Sequence, residues 1–214
     1  MSVAEPAGLP EPLGGSAGLD FANTVGPRRP HPGREARDYL PGYLELVTWA
    51  ERAGLLTVGQ RDRLTALAAV DPAGAAVVLR VAQRLREAVY ETFTAVARGE
   101  PVPPAALAEI QAAYLAALDS AELGPVPTGL DWRWPENGPL SQVLWPIASA
   151  VVGLAVSGQL TRIKQCPGDD GQCGWLFLDT SKNATRRWCS MRTCGSRVKS
   201  RRQAARLRAA RDHH

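Results

Sequence analysis

Residues 166–199 read CPGDDGQCGWLFLDTSKNATRRWCSMRTCGSRVK and contain every cysteine of the 214-residue chain: Cys166, Cys173, Cys189 and Cys194. Their spacing is Cys-x6-Cys, fifteen residues, then Cys-x4-Cys. Four thiols in two short-spaced pairs are the usual provision for a tetrahedral Zn²⁺. Two disulfides would need an oxidising compartment, and the N-terminus, with Glu5 and Glu11 among prolines, carries no export pattern. Pro167 and Gly174, each just after a cysteine, suit a knuckle whose tight turns aim backbone N–H groups at sulfur. Between the pairs, residues 174–179 (GWLFLD) predict a strand, 179–183 a polar turn, and 186–189 a returning strand that completes a β-hairpin. From about residue 191 to 211 the chain predicts a helix. Knuckle, hairpin and a helix whose first turn supplies the last ligand make a treble-clef-like module. Four thiolates leave no open position for water, so the expected ion, one Zn²⁺ per chain, is structural.

Charge separates the same region from the rest. Residues 161–214 hold 13 Arg and Lys against 4 Asp, a local charge of +9, and the first 160 residues carry −5. An acidic body with a basic end points to nucleic acid as the partner of that end. At 45% apolar residues the chain can build a sizeable core, and with 6% aromatics and abundant Ala, Leu and Val that core should be helical. The longest mostly apolar run, 147–156, is far short of the ~18 residues a membrane span needs. The expectation is a soluble, cytoplasmic protein with no membrane contact.

The body reads as mainly α. Residues 1–18 are rich in Pro, Gly and Ala and predict a loose arm; 19–160 form the helical domain and 161–214 the basic zinc module. Residues 26–37 form a Pro/Arg/Gly loop expected to be mobile. Tyr43, Leu46, Val47 and Ala50 recur at helical steps before Gly54. Thr57 with Gln60 resembles a capping box, opening a helix over about 58–69. Asp71-Pro72 starts a long helix ended by Gly99, and Pro103-Pro104 starts another. Leu130, Trp132 and Trp134 alternate as in a short strand, and a last body helix covers about 140–157, with Pro146 kinking it or marking its real start.

At this level the chain resembles a known family. The blocks CGWLFLDTS, KNATRRWCSM and CG-S-R-x-K resemble the CGNR zinc finger, whose Cys-Gly-Asn-Arg signature here reads Cys194-Gly195-Ser196-Arg197. The N-terminal blocks LDFANTV, DYL-x3-LELVTWAERAGLL and LREAVYETFTAVARG are similar to the α-helical ABATE domain that accompanies this finger in bacterial proteins. The resemblance runs from about residue 16 to 205. It implies a stress-induced transcription regulator and hence DNA as the partner. Ser196 departs from the signature Asn and has less hydrogen-bonding reach, which leaves zinc binding intact and puts contacts of that Asn in doubt.

The expected phosphate contacts are Arg186, Arg187, Arg192, Arg197, Lys199, Arg201 and Arg202, with Arg197 and Arg201 one helical turn apart. Trp175 and Trp188 belong in the finger's core, where so small a module needs large apolar groups. Asp20, Asn23, Thr24 and Arg28 are candidates for a pocket taking a small-molecule effector; the plainer reading has Asp and Asn tying down a chain turn. Two catalytic patterns, Gly14-Gly-Ser16-Ala-Gly18 and Ser196-x-x-Lys199, lack their structural context: no strand precedes the first, and the second sits in the basic helix. The only histidines are His31, His213 and His214. The expectation is a DNA-binding regulator that is not an enzyme, its body sensing an effector or forming a homodimer. RNA or ribosome association, or docking on an acidic protein, remain as alternatives.

Overall fold

Asp71-Pro72 opens the helix around which the body is built. Asp71 Oδ1 accepts from the Gly74 amide at 2.8 Å, and Gly99, with φ 66°, terminates the helix in the left-handed conformation. The computed structural model describes residues 8–29, 35–168 and 171–211. Expectations that fall on residues 1–7, 30–34 and the C-terminal histidines lie outside them.

The chain runs through α1 (Ala17–Ala22), β1 (Val25–Gly26), β2 (Arg37–Asp38), α2 (Tyr43–Arg52), α3 (Val58–Val70) and α4 (Pro72–Arg98). It continues through α5 (Pro104–Leu118), β3 (Glu122–Val126) and β4 (Gly129–Arg133) to a 3-10 turn, Leu140–Val143. Then follow α6 (Leu144–Val156), β5 (Ile163–Gln165), β6 (Leu176–Leu178), a π-turn at Met191–Gly195 and α7 (Ser196–Arg211). The mainly α reading holds, with three small antiparallel sheets of two strands each among the described residues. Thr57 and Gln60 form the expected reciprocal cap, at 3.1 and 2.9 Å. Pro146 falls in the first turn of α6, where its missing N–H costs nothing. No described helix is long and apolar enough to cross a membrane.

The finger's hairpin differs from the expectation. β6 pairs with β5, upstream of the first cysteine, in the register Ile163↔Leu178, Lys164↔Phe177 and Gln165↔Leu176. Residues 185–189 are not a strand. Side chains hold this return segment instead. Asp179 Oδ2 accepts from the Arg186 amide at 2.9 Å, and Lys164 Nζ donates to the carbonyls of Ala184 and Arg186. The hairpin therefore spans the first cysteine pair and leaves the second to the turn that starts α7.

The boundary near residue 160 separates no cores. Leu176 and Leu178 of β6 and Ile163 of β5 join the interior formed by Leu19, Phe21, Leu85, Val89, Phe93 and Val151. Phe177, on the opposite face of the strand, sits with Cys166, Cys189 and Cys194. Residues 8–16 are not a loose arm either. The Leu178 amide donates to the Gly14 carbonyl at 2.7 Å, and Leu13 packs on the cysteine cluster. By contrast β3 and β4 stand proud of the fold, with Leu123, Leu130 and Trp132 exposed.

Candidate functional site

The ladder of β5 and β6 places the first two cysteines. The Cys166 amide donates to the Trp175 carbonyl at 2.7 Å and the Gly174 amide returns to the Cys166 carbonyl at 3.0 Å, closing the knuckle. Gly174 adopts φ 71°, a left-handed turn that residues with a Cβ rarely take. The other two cysteines lie just ahead of α7, Cys189 in the return segment and Cys194 in the π-turn. Ser190 Oγ accepts from the Thr193 amide at 3.3 Å and the Gly195 amide donates to the Ser190 carbonyl at 3.0 Å, winding the π-turn that presents Cys194. Ser196, at the signature's Asn position, donates its hydroxyl to the Met191 carbonyl at 2.8 Å, so it still fastens this turn.

All four sulfurs lie within 4.8 Å of one another, and all four cysteines are free thiols. Cys173 Sγ is 3.7 Å from Cys189 Sγ, which is 3.8 Å from Cys194 Sγ. A tetrahedron of thiolates ~2.3 Å from zinc has edges of about 3.8 Å, whereas a disulfide needs ~2.05 Å. The donor set and spacing fit one structural zinc ion. Without a cation the thiols compete for protons. Cys166 is pushed below the ordinary thiol range by hydrogen bonds from its neighbours, Cys173 first, and Cys194 likewise by Cys166 first. Cys173 and Cys189 are pushed up, each chiefly by Cys166. A dication relieves all four at once. Phe177, Trp175, Trp188 and Leu13 wall the cluster on its apolar side, where both tryptophans were expected.

Asp179 anchors the loop between the cysteine pairs. Its Oδ1 accepts from the Ser181 hydroxyl (2.6 Å) and amide (3.0 Å), and Oδ2 accepts from Lys164 Nζ (2.6 Å). Desolvation pushes its pKa up, but the Lys164 ammonium and the Ser181 donors outweigh it and hold the carboxyl well below the usual range.

The residues expected at phosphate divide. Arg197, Lys199 and Arg201 are exposed on α7, Arg187 is exposed beside the knuckle with its guanidinium 5.3 Å over the Trp188 ring, and Arg192 is exposed but ion-paired with Glu11. The side chain of Arg202 lies outside the described residues. Arg186 leaves the set. Its guanidinium donates to the carbonyls of Leu13, Trp188 and Cys189 and lies 4.6 Å over the Phe177 ring, so it ties the N-terminal segment to the metal loop.

Asp20, Asn23, Thr24 and Arg28 line none of three cavities, one beside the cysteine turns, one along α4 and α5 and one at the seam of body and finger; they lie at the joint between body and finger. Buried Asn23 donates to the Leu176 carbonyl at 2.8 Å and accepts from its amide at 2.9 Å, acting as a one-residue strand partner for β6. The Arg28 amide donates to the Cys173 carbonyl at 2.8 Å. The Arg28 side chain is 6% exposed, pairs with Glu87 at 2.5 Å and lies 4.2 Å over the Tyr90 ring. Thr24 Oγ1 donates to the Phe21 carbonyl, and Asp20 Oδ1 accepts from the Gly14 amide, both at 2.7 Å. Burial pushes Asp20 up to about 6 despite the amides of Gly14 and Leu13.

Sequence reading missed the rest of this joint. Tyr90 donates its hydroxyl to the Gly174 carbonyl at 3.0 Å, and Trp175 Nε1 donates to the Val25 carbonyl at 2.8 Å. Gly26 lies under that indole, where a Cβ would come within 2.6 Å of Nε1. Arg86 grips Asp38 with two bonds of 2.7 and 2.8 Å, fixing β2 against α4.

Residues 15–158 match the ABATE family, described as "Putative stress-induced transcription regulator", and residues 162–207 match the CGNR zinc finger. No curated protein matches the chain. With its helical body covered by the first match and its four clustered cysteines by the second, the chain belongs to the ABATE family and carries a CGNR zinc finger after that domain.

Proposed function

We propose that the chain is a transcription regulator that docks on duplex DNA through α7, presented by the zinc module. One observation carries this reading: among the described residues, α7 presents an exposed, uniformly basic surface. Its 16 residues, SRVKSRRQAARLRAAR, hold seven Arg and Lys and no acid, and its described side chains are exposed apart from half-buried Val198. Its neighbour in the fold is the π-turn that carries Cys194. A helix with no apolar face to bury gains little from the body, so the metal fixes where it points. Its charge suits phosphate, which supplies affinity without sequence preference. The −5 body is left for sensing an effector or pairing two copies. A soluble, cytoplasmic and non-catalytic role follows from the same reading.

The test is equilibrium binding of zinc-loaded full-length protein to labelled duplex DNA over a range of salt. Each lost phosphate contact lowers the log–log slope by about 0.9, so Arg197→Ala/Arg201→Ala should flatten it by roughly 1.8 and weaken binding to every sequence. Unchanged affinity and slope with zinc retained would refute the reading. Stronger binding to structured RNA, or to an acidic protein, would replace DNA by that partner.

A further inference from the structure

We infer that the seam between the helical body and the zinc finger is a binding site for a phosphate-type dianion, held by Arg29, Arg98 and Arg187. A cavity of about 390 Å³ opens there, walled by Arg29 and Arg98 from the body and by Lys164, Pro167 and Arg187 from the finger. Four cations line it, and among the described residues no Asp or Glu does. The site stands whether or not α7 binds nucleic acid.

At its edge two guanidinium groups converge on one neutral oxygen. Gln165 Oε1 accepts from Arg29 Nη2 at 2.5 Å and from Arg98 Nη2 and Nε at 3.0 and 3.3 Å. The amide cannot turn over without loss, because its Nε2 donates to the Tyr90 hydroxyl at 2.9 Å and to the Gly174 carbonyl at 3.4 Å. Gln165 therefore orients both arginines and neutralises neither. A carboxylate at that position would be the ordinary way to hold them.

Among the described residues, compensation from elsewhere is thin. Glu100 is 3.8 Å from Arg98 Nη1, with both side chains substantially exposed, a geometry that contributes little. Lys164 is already paired with Asp179 at 2.6 Å, and Arg187 rests on the Trp188 ring. Asp169 and Asp170 lie outside the described residues. Each guanidinium carries five N–H donors, of which Gln165 takes one from Arg29 and two from Arg98. A tetrahedral oxyanion with two negative charges and several acceptors matches this surplus of charge and donors; a single carboxylate would balance only one arginine. The same chemistry is offered by a nucleic-acid backbone phosphate and by the phosphoryl group of a small molecule.

The experiment titrates zinc-loaded full-length protein with inorganic phosphate by calorimetry and, in parallel, with duplex DNA over a range of salt. Arg98→Gln/Arg187→Gln removes two cations from the seam. Gln165→Glu keeps every arginine but supplies an internal carboxylate, with the Tyr90 hydroxyl free to turn and donate to it. Arg206→Ala/Arg208→Ala on α7 is the control, and zinc content is checked in each. Saturable binding of one phosphate, weakened by about tenfold or more in both seam variants and unchanged in the control, supports the site with a free phosphorylated ligand. No saturable phosphate binding, but a DNA salt slope flattened by about 1.8 in Arg98→Gln/Arg187→Gln and weaker DNA binding by Gln165→Glu, supports it with backbone phosphate as the ligand. A wild type that binds neither probe, or seam variants with unchanged phosphate and DNA affinities, overturns it. If DNA binding fails altogether while the phosphate result holds, the α7 reading falls and the seam site stands.

Discussion

Leu176 and Leu178 face an interior of Leu19, Phe21, Leu85, Val89 and Phe93, whereas Phe177, between them on the strand, faces four sulfurs. The first interior is extensive and continuous, and apolar burial sustains it without help. The second has one fully buried aromatic and partly buried Trp175, Trp188 and Leu13, too little to fold the loops that carry it. The metal supplies the difference. Both interiors lean on the same three-residue strand, so the finger is anchored to the body even though its order depends on zinc.

Breaking the metal side should have the largest effect. Structural zinc contributes roughly 10–16 kcal/mol of apparent binding free energy, so Cys189→Ser should lose the ion and disorder the π-turn and α7. Helices α2 to α6 should keep their far-UV signal. Elemental analysis and hydrogen exchange check this; retained protection in the α7 amides would contradict it.

Breaking the shared strand comes next. A chain cut at residue 160 loses Ile163, Leu176 and Leu178 from the body's interior. At ~1.5–3 kcal/mol for each buried side chain, about 4.5–9 kcal/mol is at stake, comparable with the stability of a whole domain. Urea unfolding of residues 1–160 should show little or no cooperative transition, and an intact transition would restore the independent body that the charge division implies.

Asn23→Ala sharpens the comparison with one residue. It leaves the amide and carbonyl of Leu176 unpaired in a dry interior, at about 1–3 kcal/mol for each group. Thermal unfolding should fall accordingly while zinc stoichiometry stays at one. Loss of zinc in this variant would mean that the body, not the cysteine turns, shapes the metal site.

The smallest effect is a pH dependence. Burial disfavours the charge of Asp20 and pushes its carboxyl from the ordinary 3.8 up to about 6 in the folded protein. A raised carboxyl pKa stabilises the fold at low pH, and that stabilisation is lost as pH rises from about 4 through about 6, at most ~3 kcal/mol. Asp20→Asn should therefore gain on the wild type over that window, read as the difference between their unfolding free energies at each pH. A constant difference would show that Asp20 ionises freely.

Much of this was legible in the sequence because the signals were local. The caps at Thr57 and Asp71, the stop at Gly99 and the cysteine spacing each need only a few neighbouring residues. The return strand at 186–189 was misread because nothing local reveals that β6 would pair with 163–165, a partner across the knuckle. Arg186 was assigned to phosphate by composition. Its carbonyl partners belong to Leu13 and the metal loop, and a basic run does not announce which cation turns inward. Asn23 carried a faint signal, a lone amide inside an apolar segment, but its partner is 153 residues away. Gln165 had no signal at all, since its role comes from Arg29 and Arg98 meeting in space.

The central claim is that zinc orders a basic helix which the body carries but does not cover. Titrating zinc back into metal-free full-length protein, while following duplex DNA binding and far-UV helicity together, tests it most directly. DNA affinity should rise with zinc and saturate at one ion per chain, while the helical signal grows only by the small share of α7. Full DNA affinity in the metal-free protein, with α7 still unprotected from hydrogen exchange, would contradict the account.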